Sequence, residues 1–293
     1  MKKTLFLFAL VVMGITSCKK EDDAVITSSS EERQIPLVEY VPSAFTQKLL
    51  MEMYSTTGCA TCPDAEQKYR VYAANHADKV YGVCIHNSDA MDHPQFDVLD
   101  NLFNINVYSS GSFNRLAFSN EVVLPKTSWT NNIVNTCLSK TAACGLKINS
   151  TYTGNIADVT VTAGFNTTLS GDYHLTIYLL EDSVSGSGSG YNQSNYYNNI
   201  SSSIFYQLGN PIVGYQHDYV LRQVLTSPIG ETIPQTLIKR SGTFSKHISF
   251  SIAGYDHSQL YIIAFINKTG STALTHEVKN VQQVKLGSNK SWD

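Results

Sequence analysis

Charged side chains are scarce in this sequence. Asp, Glu, Lys and Arg make up only 15% of its 293 residues, and 24 acidic residues against 21 basic ones give a formal net charge of −3. Proteins that bind nucleic acids through the phosphate backbone need a local excess of Lys and Arg. The composition therefore predicts no nucleic-acid partner.

The apolar stretch at the N-terminus is too short to cross a bilayer as a stable helix. It runs from Thr4 to Ile15 after two lysines, whereas a spanning helix needs about 20 apolar residues. A basic start, a short apolar core and small residues before a cleavage site are typical of a signal peptide. We therefore predict a signal peptide over residues 1–17, which is either an ordinary secretory signal or the signal of a lipoprotein.

Cys18 favours the lipoprotein alternative, because MKKTLFLFALVVMGITSC resembles a bacterial lipoprotein signal. The resemblance implies cleavage before Cys18 and lipidation of that cysteine, so that acyl chains hold the protein on a membrane. KKEDD, residues 19–23, is similar to the export signal that sends Bacteroidetes-type lipoproteins to the outer face of the outer membrane. Residues 18–33 are rich in Ser, Thr and Glu, which predicts a flexible tether.

Cysteine is also rare, with six residues and a single Cys-x-x-Cys pair. Cys59 and Cys62 open a helical pattern, where residues three apart share a face about 5 Å from each other, so a disulfide is predicted. Cys137 and Cys144 are candidates for a second bridge if the helix that contains Cys137 ends between them. Cys84, in the apolar run VYGVCI, is predicted to be a buried small hydrophobe.

A second Cys-x-x-Cys pair is missing, which weighs against a structural zinc site because such a site needs four ligands. One stretch, HNSDAMDHP, brings four possible ligands into eight residues: His86, Asp89, Asp92 and His93. It is either a cation-binding loop or a solvated turn whose aspartates cap the next helix. We favour the turn, and no metal and no cofactor are predicted.

Residues 34–145 alternate between strand and helix patterns. QKLLMEMYS, residues 47–55, has a strand pattern, and CATCPDAEQKYRVYAANHA directly after it has apolar residues at helical spacing. Two more strands and two more helices are predicted, over residues 78–87, 113–119, 93–105 and 126–142. This alternation indicates a parallel or mixed α/β sheet.

Residues 146–293 show apolar and polar residues in alternation. Six or seven short strands separated by Gly, Asn and Ser turns indicate an antiparallel β-sandwich of the immunoglobulin or jelly-roll type. His217 and Asp218 begin one of these strands, and no nucleophile elbow accompanies them. We therefore predict a structural cap or ion pair there rather than a catalytic pair.

One connection in this half, residues 185–216, is unusually long and rich in Tyr, Ser, Gly and Asn. A loop of this length is either functional or an unstructured insertion. Its composition is typical of binding loops, in which tyrosines supply contact area and small polar residues adapt. Tyr191, Tyr196, Tyr197 and Tyr206 are the candidate partner-binding residues.

A strand that leads into Cys-x-x-Cys at the start of a helix, followed by further strand and helix patterns, resembles the thioredoxin fold. LLMEMYSTTGCATCPDA, together with the later FNR and QHDYVLRQVL, resembles the Omp28-related outer membrane lipoproteins. The resemblance implies an α/β thioredoxin-like domain over residues 34–145, followed by an all-β antiparallel sandwich over residues 146–293.

The thioredoxin resemblance implies a possible chemistry. Cys59 would be the attacking thiolate, stabilised by the helix N-terminus, and Cys62 the resolving thiol. Glu52, the acid of the preceding strand, is predicted to assist proton transfer from beneath Cys62, with a surface ion pair as the alternative.

Two departures from working thioredoxins weaken this prediction. Gly58 stands where thioredoxins carry tryptophan, and NVYSSGSFNR has no proline, so Ser110, Gly111 or Ser112 is expected in place of the usual cis-proline. We therefore favour a lipid-anchored outer-membrane protein that binds an extracellular protein, peptide or glycan. A thiol-disulfide oxidoreductase is the alternative.

Overall fold

The structure is a computed structural model that describes residues 40–292. The predicted signal peptide, the tether and Cys18 lie outside these residues. In the first half of the described part, the helices and strands are β1 Leu49–Ser55, α1 Cys62–Asn75, β2 Val80–His86, α2 Phe96–Phe103, β3 Ser110–Phe113, β4 Leu124–Pro125 and α3 Asn131–Leu138. In the second half they are β5 Cys144–Thr153, β6 Ile156–Phe165, β7 Tyr173–Glu181, β8 Val220–Val224, β9 Glu231–Thr232, β10 Thr243–Ser251, β11 Leu260–Lys268, β12 Val278–Lys285 and β13 Asn289–Lys290.

The strands form one mixed and one antiparallel sheet. The mixed sheet has the order β12-β11-β7-β8-β2-β1-β3-β4, with β9 paired to β7. In it β2 runs parallel to both β1 and β8, and the other pairs are antiparallel. The second sheet, β10-β6-β5-β13, is antiparallel throughout. Within residues 40–292 the fold is thus mostly β with three α-helices, and the mixed sheet includes strands from both sides of residue 146.

Three apolar cores hold these layers together. One lies between the two sheets and is formed by residues of β5, β6, β7 and β11. The other two cover opposite faces of the mixed sheet near β1 and β2, one under α2 and one under α1 and α3. Because side chains alternate along a strand, Met51 and Met53 face α1, whereas Leu50 and Tyr54 face α2.

Helix α1 packs closely on β2 through Gly82. The Tyr69 ring lies where a Cβ of Gly82 would be, 2.5 Å from that position, and its hydroxyl accepts a hydrogen bond from the Gly82 amide at 3.0 Å. Only glycine permits this approach. Since Gly82, Cys84 and His86 alternate onto one face of β2, the same contact brings Cys84 and His86 under the helix.

The predicted strand over residues 113–119 is shorter and earlier, because the chain turns at Asn114 and Arg115. Both residues have positive φ, 51° and 48°, which ends the strand at Phe113. The Asn114 side chain accepts a hydrogen bond from the Leu50 amide at 2.7 Å, in place of a further strand residue. The turn points the Arg115 side chain into the protein.

Arg115 and Glu52 form an ion pair with no solvent exposure. Arg115 donates from Nε and Nη2 to the two carboxylate oxygens at 2.8 and 2.6 Å, and Ser112 donates to the same carboxylate at 2.9 Å. The guanidinium lies 5.2 and 5.1 Å from the ring centres of Phe103 and Phe265. Burial by itself lowers the pKa of Arg115, but the charge and hydrogen bonds of Glu52 raise it well above its usual value.

This geometry corrects the prediction for Glu52. The carboxylate lies on the sheet face that α2 covers, whereas α1, which begins at Cys62, packs on the other face. Both of its oxygens are engaged by Arg115. Glu52 is therefore neither a proton carrier beneath Cys62 nor a surface residue, but half of a buried ion pair.

The predicted disulfide between Cys137 and Cys144 is not formed, since both are free, buried thiols. Helix α3 does end between them, but the two side chains enter different cores: Cys137 packs under α1 and α3, and Cys144 packs between the sheets. Burial raises the pKa of each thiol to about 12. Cys84 is buried, as predicted.

Replacing Arg115 by Met should lower the free energy of unfolding by about 3–5 kcal/mol, because it leaves the Glu52 carboxylate buried without a cation. The double replacement Glu52→Leu with Arg115→Met removes both charges, so it should cost less than the sum of the two single changes. Urea unfolding followed by fluorescence measures both quantities.

A matched control is Lys140→Met, which breaks the partly exposed pair between Lys140 and Glu277 and should cost at most about 1 kcal/mol. Additive losses in the Glu52 and Arg115 double variant would contradict the argument.

Candidate functional site

The Cys-x-x-Cys turn connects β1 to α1. The amide of Cys59 donates to the Thr56 carbonyl at 3.0 Å, and the amide of Cys62 donates to the Cys59 carbonyl at 3.2 Å. Helix α1 then begins at Cys62 with Pro63 in its first turn, where the missing N–H of proline costs no hydrogen bond. The predicted disulfide is present, with the Cα atoms of Cys59 and Cys62 5.4 Å apart.

The two cysteines differ in their access to solvent. Cys59 retains 9% of its surface exposed, whereas Cys62 retains 1%. The Thr61 hydroxyl lies 3.7 Å from the Cys59 sulfur, and the start of α1 places partial positive charge beside the turn. Any reagent that reaches this disulfide from solvent therefore meets Cys59 first.

The tyrosine-rich segment, residues 185–216, folds over the Cys-x-x-Cys turn. The Gln193 side chain donates to the carbonyl of Cys59 at 2.8 Å, the amide of Ser194 donates to the carbonyl of Thr57 at 2.8 Å, and the amide of Tyr196 donates to the carbonyl of Ala60 at 2.9 Å. The segment is thus a folded cover tied to the turn by main-chain acceptors, not an unstructured insertion.

Lys126 fastens the cover to α1. Its ammonium group donates to the Asp64 carboxylate and to the Tyr197 hydroxyl, each at 2.6 Å, and lies 5.2 Å from the Tyr197 ring centre. Burial lowers the pKa of Lys126, but the hydrogen bonds that it donates to Asp64 and Tyr197 outweigh this effect and raise the pKa above its usual value. The cation therefore holds a helix and the segment together.

The four candidate tyrosines divide into two pairs. Tyr191 packs beside Gly186 and against the small cluster of Met91 and its neighbours, and Tyr197 is half-buried beside Lys126. Tyr196 and Tyr206 are exposed. Three aliphatic residues of the same segment are exposed with them, and we call these five side chains the exposed patch: Tyr196, Ile204, Tyr206, Leu208 and Val213.

Ser109, and not one of the three residues after it, faces the Cys-x-x-Cys turn. Its hydroxyl lies 3.4 Å from that of Thr61. Ser110 and Gly111 are instead paired within the sheet, and Ser112 is bonded to Glu52. The expectation for residues 110–112 is therefore wrong by one position, because β3 begins at Ser110 and takes these residues into the sheet.

A second set of polar side chains is buried beneath α1, and the sequence reading missed it. Glu66 lies one turn after Cys62 and is almost fully buried, as are Cys84 and His86 on β2. Burial and the nearby Asp218 charge raise the pKa of Glu66 to about 8. The signal was present in the spacing: Cys62, Glu66 and Tyr69 fall on one face of a helix.

The HNSDAMDHP stretch forms a turn rather than a ligand set. Asp89 accepts hydrogen bonds from the amides of Thr57 and Met91, each at 2.8 Å, and its Oδ2 also lies 2.7 Å from Nδ1 of His86. His93 accepts from a neighbouring amide through Nδ1. Within residues 40–292, the possible metal ligands that cluster with His86 are Glu66 and Cys84, and not the other residues of this stretch.

His217 and Asp218 have separate structural partners. Asp218 pairs with Arg70 at 2.5 Å, which agrees with the predicted ion pair. His217 lies buried 2.9 Å from the Tyr191 carbonyl through Nε2. Burial lowers its pKa to about 4, so the ring is neutral at physiological pH.

The helices of residues 40–292 are all too short or too polar to cross a membrane.

Alkylation should separate the five cysteines of the described part. In denatured but unreduced protein, Cys84, Cys137 and Cys144 should be alkylated, whereas Cys59 and Cys62 should be protected by their disulfide. In folded protein all five should resist, because the free thiols are buried and carry raised pKa values. Peptide mass mapping provides the measurement, and a peptide pair linked through Cys137 and Cys144 would refute the assignment.

Two solved structures are similar to this chain. HBP35 of Porphyromonas gingivalis is 18% identical and aligns with a TM-score of 0.65 over 83% of this chain and 76% of that one. A protein of Agrobacterium tumefaciens is 11% identical, with a TM-score of 0.47 over 83% and 96% of the two chains. The first alignment shows a related fold. No curated protein sequence matches the chain.

A family profile assigns the chain to a protein family. The profile described as outer membrane protein Omp28 matches residues 96–290, which is most of the chain. The match includes the tyrosine-rich segment and begins after the Cys-x-x-Cys turn. It confirms the family resemblance seen in the sequence motifs: this chain belongs to the Omp28 family of outer membrane proteins.

Proposed function

We propose that this protein is a lipid-anchored binding protein of the outer membrane. The exposed patch contacts an extracellular protein, peptide or glycan, and a thioredoxin-like scaffold with its Cys59–Cys62 disulfide holds the patch in place. Membership of the Omp28 family supports the location at the outer membrane. The lipid on Cys18 and the outward orientation are proposed from the N-terminal motif that ends in Cys18 and from the KKEDD stretch after it.

The concentration of exposed apolar side chains on one segment carries this proposal. The five members of the exposed patch fall within residues 196–213 and are 39% to 77% exposed. The other large exposed apolar residues of the described part are spread over the rest of the chain. Single exposed apolar residues are ordinary, but a group of them on one folded segment is typical of an interaction site.

The segment beneath the patch is held by its own hydrogen bonds and a small core, which suits a binding surface. The Asn195 side chain donates to the carbonyls of Phe205 and Gly209, each at 2.9 Å, and the Asn198 side chain accepts from the Gly209 amide at 2.8 Å. Phe205, Ile212 and Tyr215 form a small core under it. A surface ordered before binding loses less conformational entropy when a partner binds.

The scaffold part of the proposal rests on connectivity. Strand β1, the Cys-x-x-Cys turn, helix α1 and the parallel strand β2 follow one another, and β3 pairs antiparallel to β1 on its other side. This is the order that a thioredoxin-like domain requires. The disulfide sits where the cover is attached, so its role in this proposal is to hold the acceptor carbonyls of the turn.

The patch can be tested by replacing four of its residues with serine: Tyr196, Ile204, Leu208 and Val213. The full-length protein is used to select ligands from a displayed random-peptide library and from a glycan array. The selected ligands should bind the patch variant at least about tenfold more weakly, because apolar anchors dominate such interfaces.

The matched control replaces four exposed apolar residues elsewhere with serine: Val71, Val98, Tyr152 and Ile156. It should bind as the wild type does. Equal binding by all three proteins, or equal loss in both variants, would overturn the proposal.

Thiol-disulfide exchange is a second candidate, favoured by the greater exposure of Cys59 at the start of a helix. Cys62→Ser leaves Cys59 as a free thiol, which should form a stable mixed disulfide with oxidised glutathione below neutral pH if the helix stabilises its thiolate. Intact-mass spectrometry detects the adduct, and Cys59→Ser is the control that should not form it. If the folded Cys62→Ser variant forms no adduct, the disulfide has a structural role and does not take part in thiol-disulfide exchange.

A further inference from the structure

We propose that a buried zinc ion binds between helix α1 and strand β2, held by Glu66, Cys84 and His86. This site is separate from the exposed patch and does not depend on the function proposed above.

The three donors meet where α1 packs on β2. Cys84 and His86 are two residues apart on the strand, so both project from the face that α1 covers. A ligand atom from each, together with one from Glu66, lies within 4.8 Å of the other two. Ligand atoms on one tetrahedral zinc are ~3.4 Å apart, given zinc bond lengths of about 2.0–2.3 Å. Side-chain rotations that move each ligand atom by about an ångström would therefore bring the three donors to zinc-binding distances.

Glu66 and His86 each have one polar side-chain atom without a hydrogen-bond partner in the described part of the chain. These atoms are Oε1 of Glu66 and Nε2 of His86, and both are buried. Buried polar atoms are nearly always paired, and leaving one unpaired costs about 1–3 kcal/mol. Because a carboxylate oxygen of Glu66 and a ring nitrogen of His86 lie within 4.8 Å of the Cys84 sulfur, one cation bound there would give both residues the partner that they lack.

The other polar atom of each donor is already held. Nδ1 of His86 lies 2.7 Å from Oδ2 of Asp89, and the Tyr215 hydroxyl donates to Oε2 of Glu66 at 3.0 Å. When Nδ1 donates its proton to Asp89, Nε2 keeps a free lone pair. Metal-binding histidines and carboxylates are oriented in this way by a second layer of hydrogen bonds. The arrangement orients both donors before an ion arrives.

His217 is a candidate for the fourth ligand. Its ring centre lies 5.1 Å from that of His86, and its Nδ1 is buried without a hydrogen-bond partner. Its Nε2 is 2.9 Å from the Tyr191 carbonyl, which leaves Nδ1 as the lone-pair nitrogen when Nε2 donates. A fourth protein ligand makes the site closed and structural.

The donor set selects the kind of ion. A thiolate and a carboxylate supply two negative charges, so a divalent cation leaves the buried site neutral. Calcium and magnesium require six or more oxygen ligands. Sulfur, imidazole and carboxylate together in a tetrahedral site are typical of zinc.

Cobalt(II) provides a spectroscopic probe of the site. The full-length protein is unfolded under argon with EDTA and without reductant, so that the Cys59–Cys62 disulfide stays closed, and is then refolded with Co²⁺. We expect one ion per chain, a thiolate-to-cobalt charge-transfer absorption and strong visible bands of tetrahedral cobalt. Zn²⁺ should displace the cobalt and remove these bands.

The variants separate this site from the other thiols and histidines. Cys84→Ser should abolish the charge-transfer absorption, whereas Cys137→Ser and His276→Gln, at buried residues outside the site, should keep it. Asp89→Asn removes no proposed ligand but weakens the support of His86, along with the hydrogen bonds from the Thr57 and Met91 amides. It should keep the absorption but weaken Co²⁺ binding about 10- to 100-fold. This variant keeps the test decisive if Cys84→Ser does not fold. A wild-type protein that refolds without binding Co²⁺, or an absorption that survives Cys84→Ser, overturns the proposal.

Discussion

The buried ion pair between Glu52 and Arg115 determines how β1 is oriented, and the candidate site depends on that orientation. Strand β1 is buried along its whole length. Because apolar side chains occupy both of its faces, hydrophobicity alone does not specify which residues face α1 and which face α2. Burying an ionised carboxylate is costly unless a cation lies beside it. The turn after β3 places Arg115 on the α2 side of the sheet, next to Glu52. Met51 and Met53 then face α1, and the Cys-x-x-Cys turn leaves the strand on the side where that helix begins.

Two buried acids near the centre of the protein have opposite environments. The Glu52 carboxylate receives three hydrogen bonds, two of them from a guanidinium, so both of its oxygens have partners. The Glu66 carboxylate receives a hydroxyl on one oxygen and has an unpaired second oxygen. A carboxyl with a raised pKa and an open oxygen is the kind of group found at functional sites. Of the two acids, the one on the helix therefore has an oxygen without a hydrogen-bond partner, and the one on the strand does not.

The parts that were predictable from the sequence depend on neighbours in the chain. The Cys59–Cys62 disulfide, β1 and α1 follow from spacings of two to four residues, and the antiparallel second sheet follows from alternation. What could not be predicted depends on partners far along the chain. Glu52 meets Arg115 63 residues later, and Gln193 covers a carbonyl 134 residues earlier. Cys137 and Cys144 are close in sequence, yet a helix end between them sends their side chains into different cores.

The disulfide and the tyrosine-rich cover stabilise the same turn by comparable amounts. Closing so short a loop contributes about 2 kcal/mol through chain entropy, while the hydrogen bonds from Gln193, Ser194 and Tyr196 contribute about 1 kcal/mol each. Because the cover binds to the carbonyls of the turn, any change that reorients those carbonyls also loosens the segment that displays the exposed patch. The Cys-x-x-Cys turn and the segment that carries the exposed patch are therefore joined by hydrogen bonds to the main-chain carbonyls of Thr57, Cys59 and Ala60.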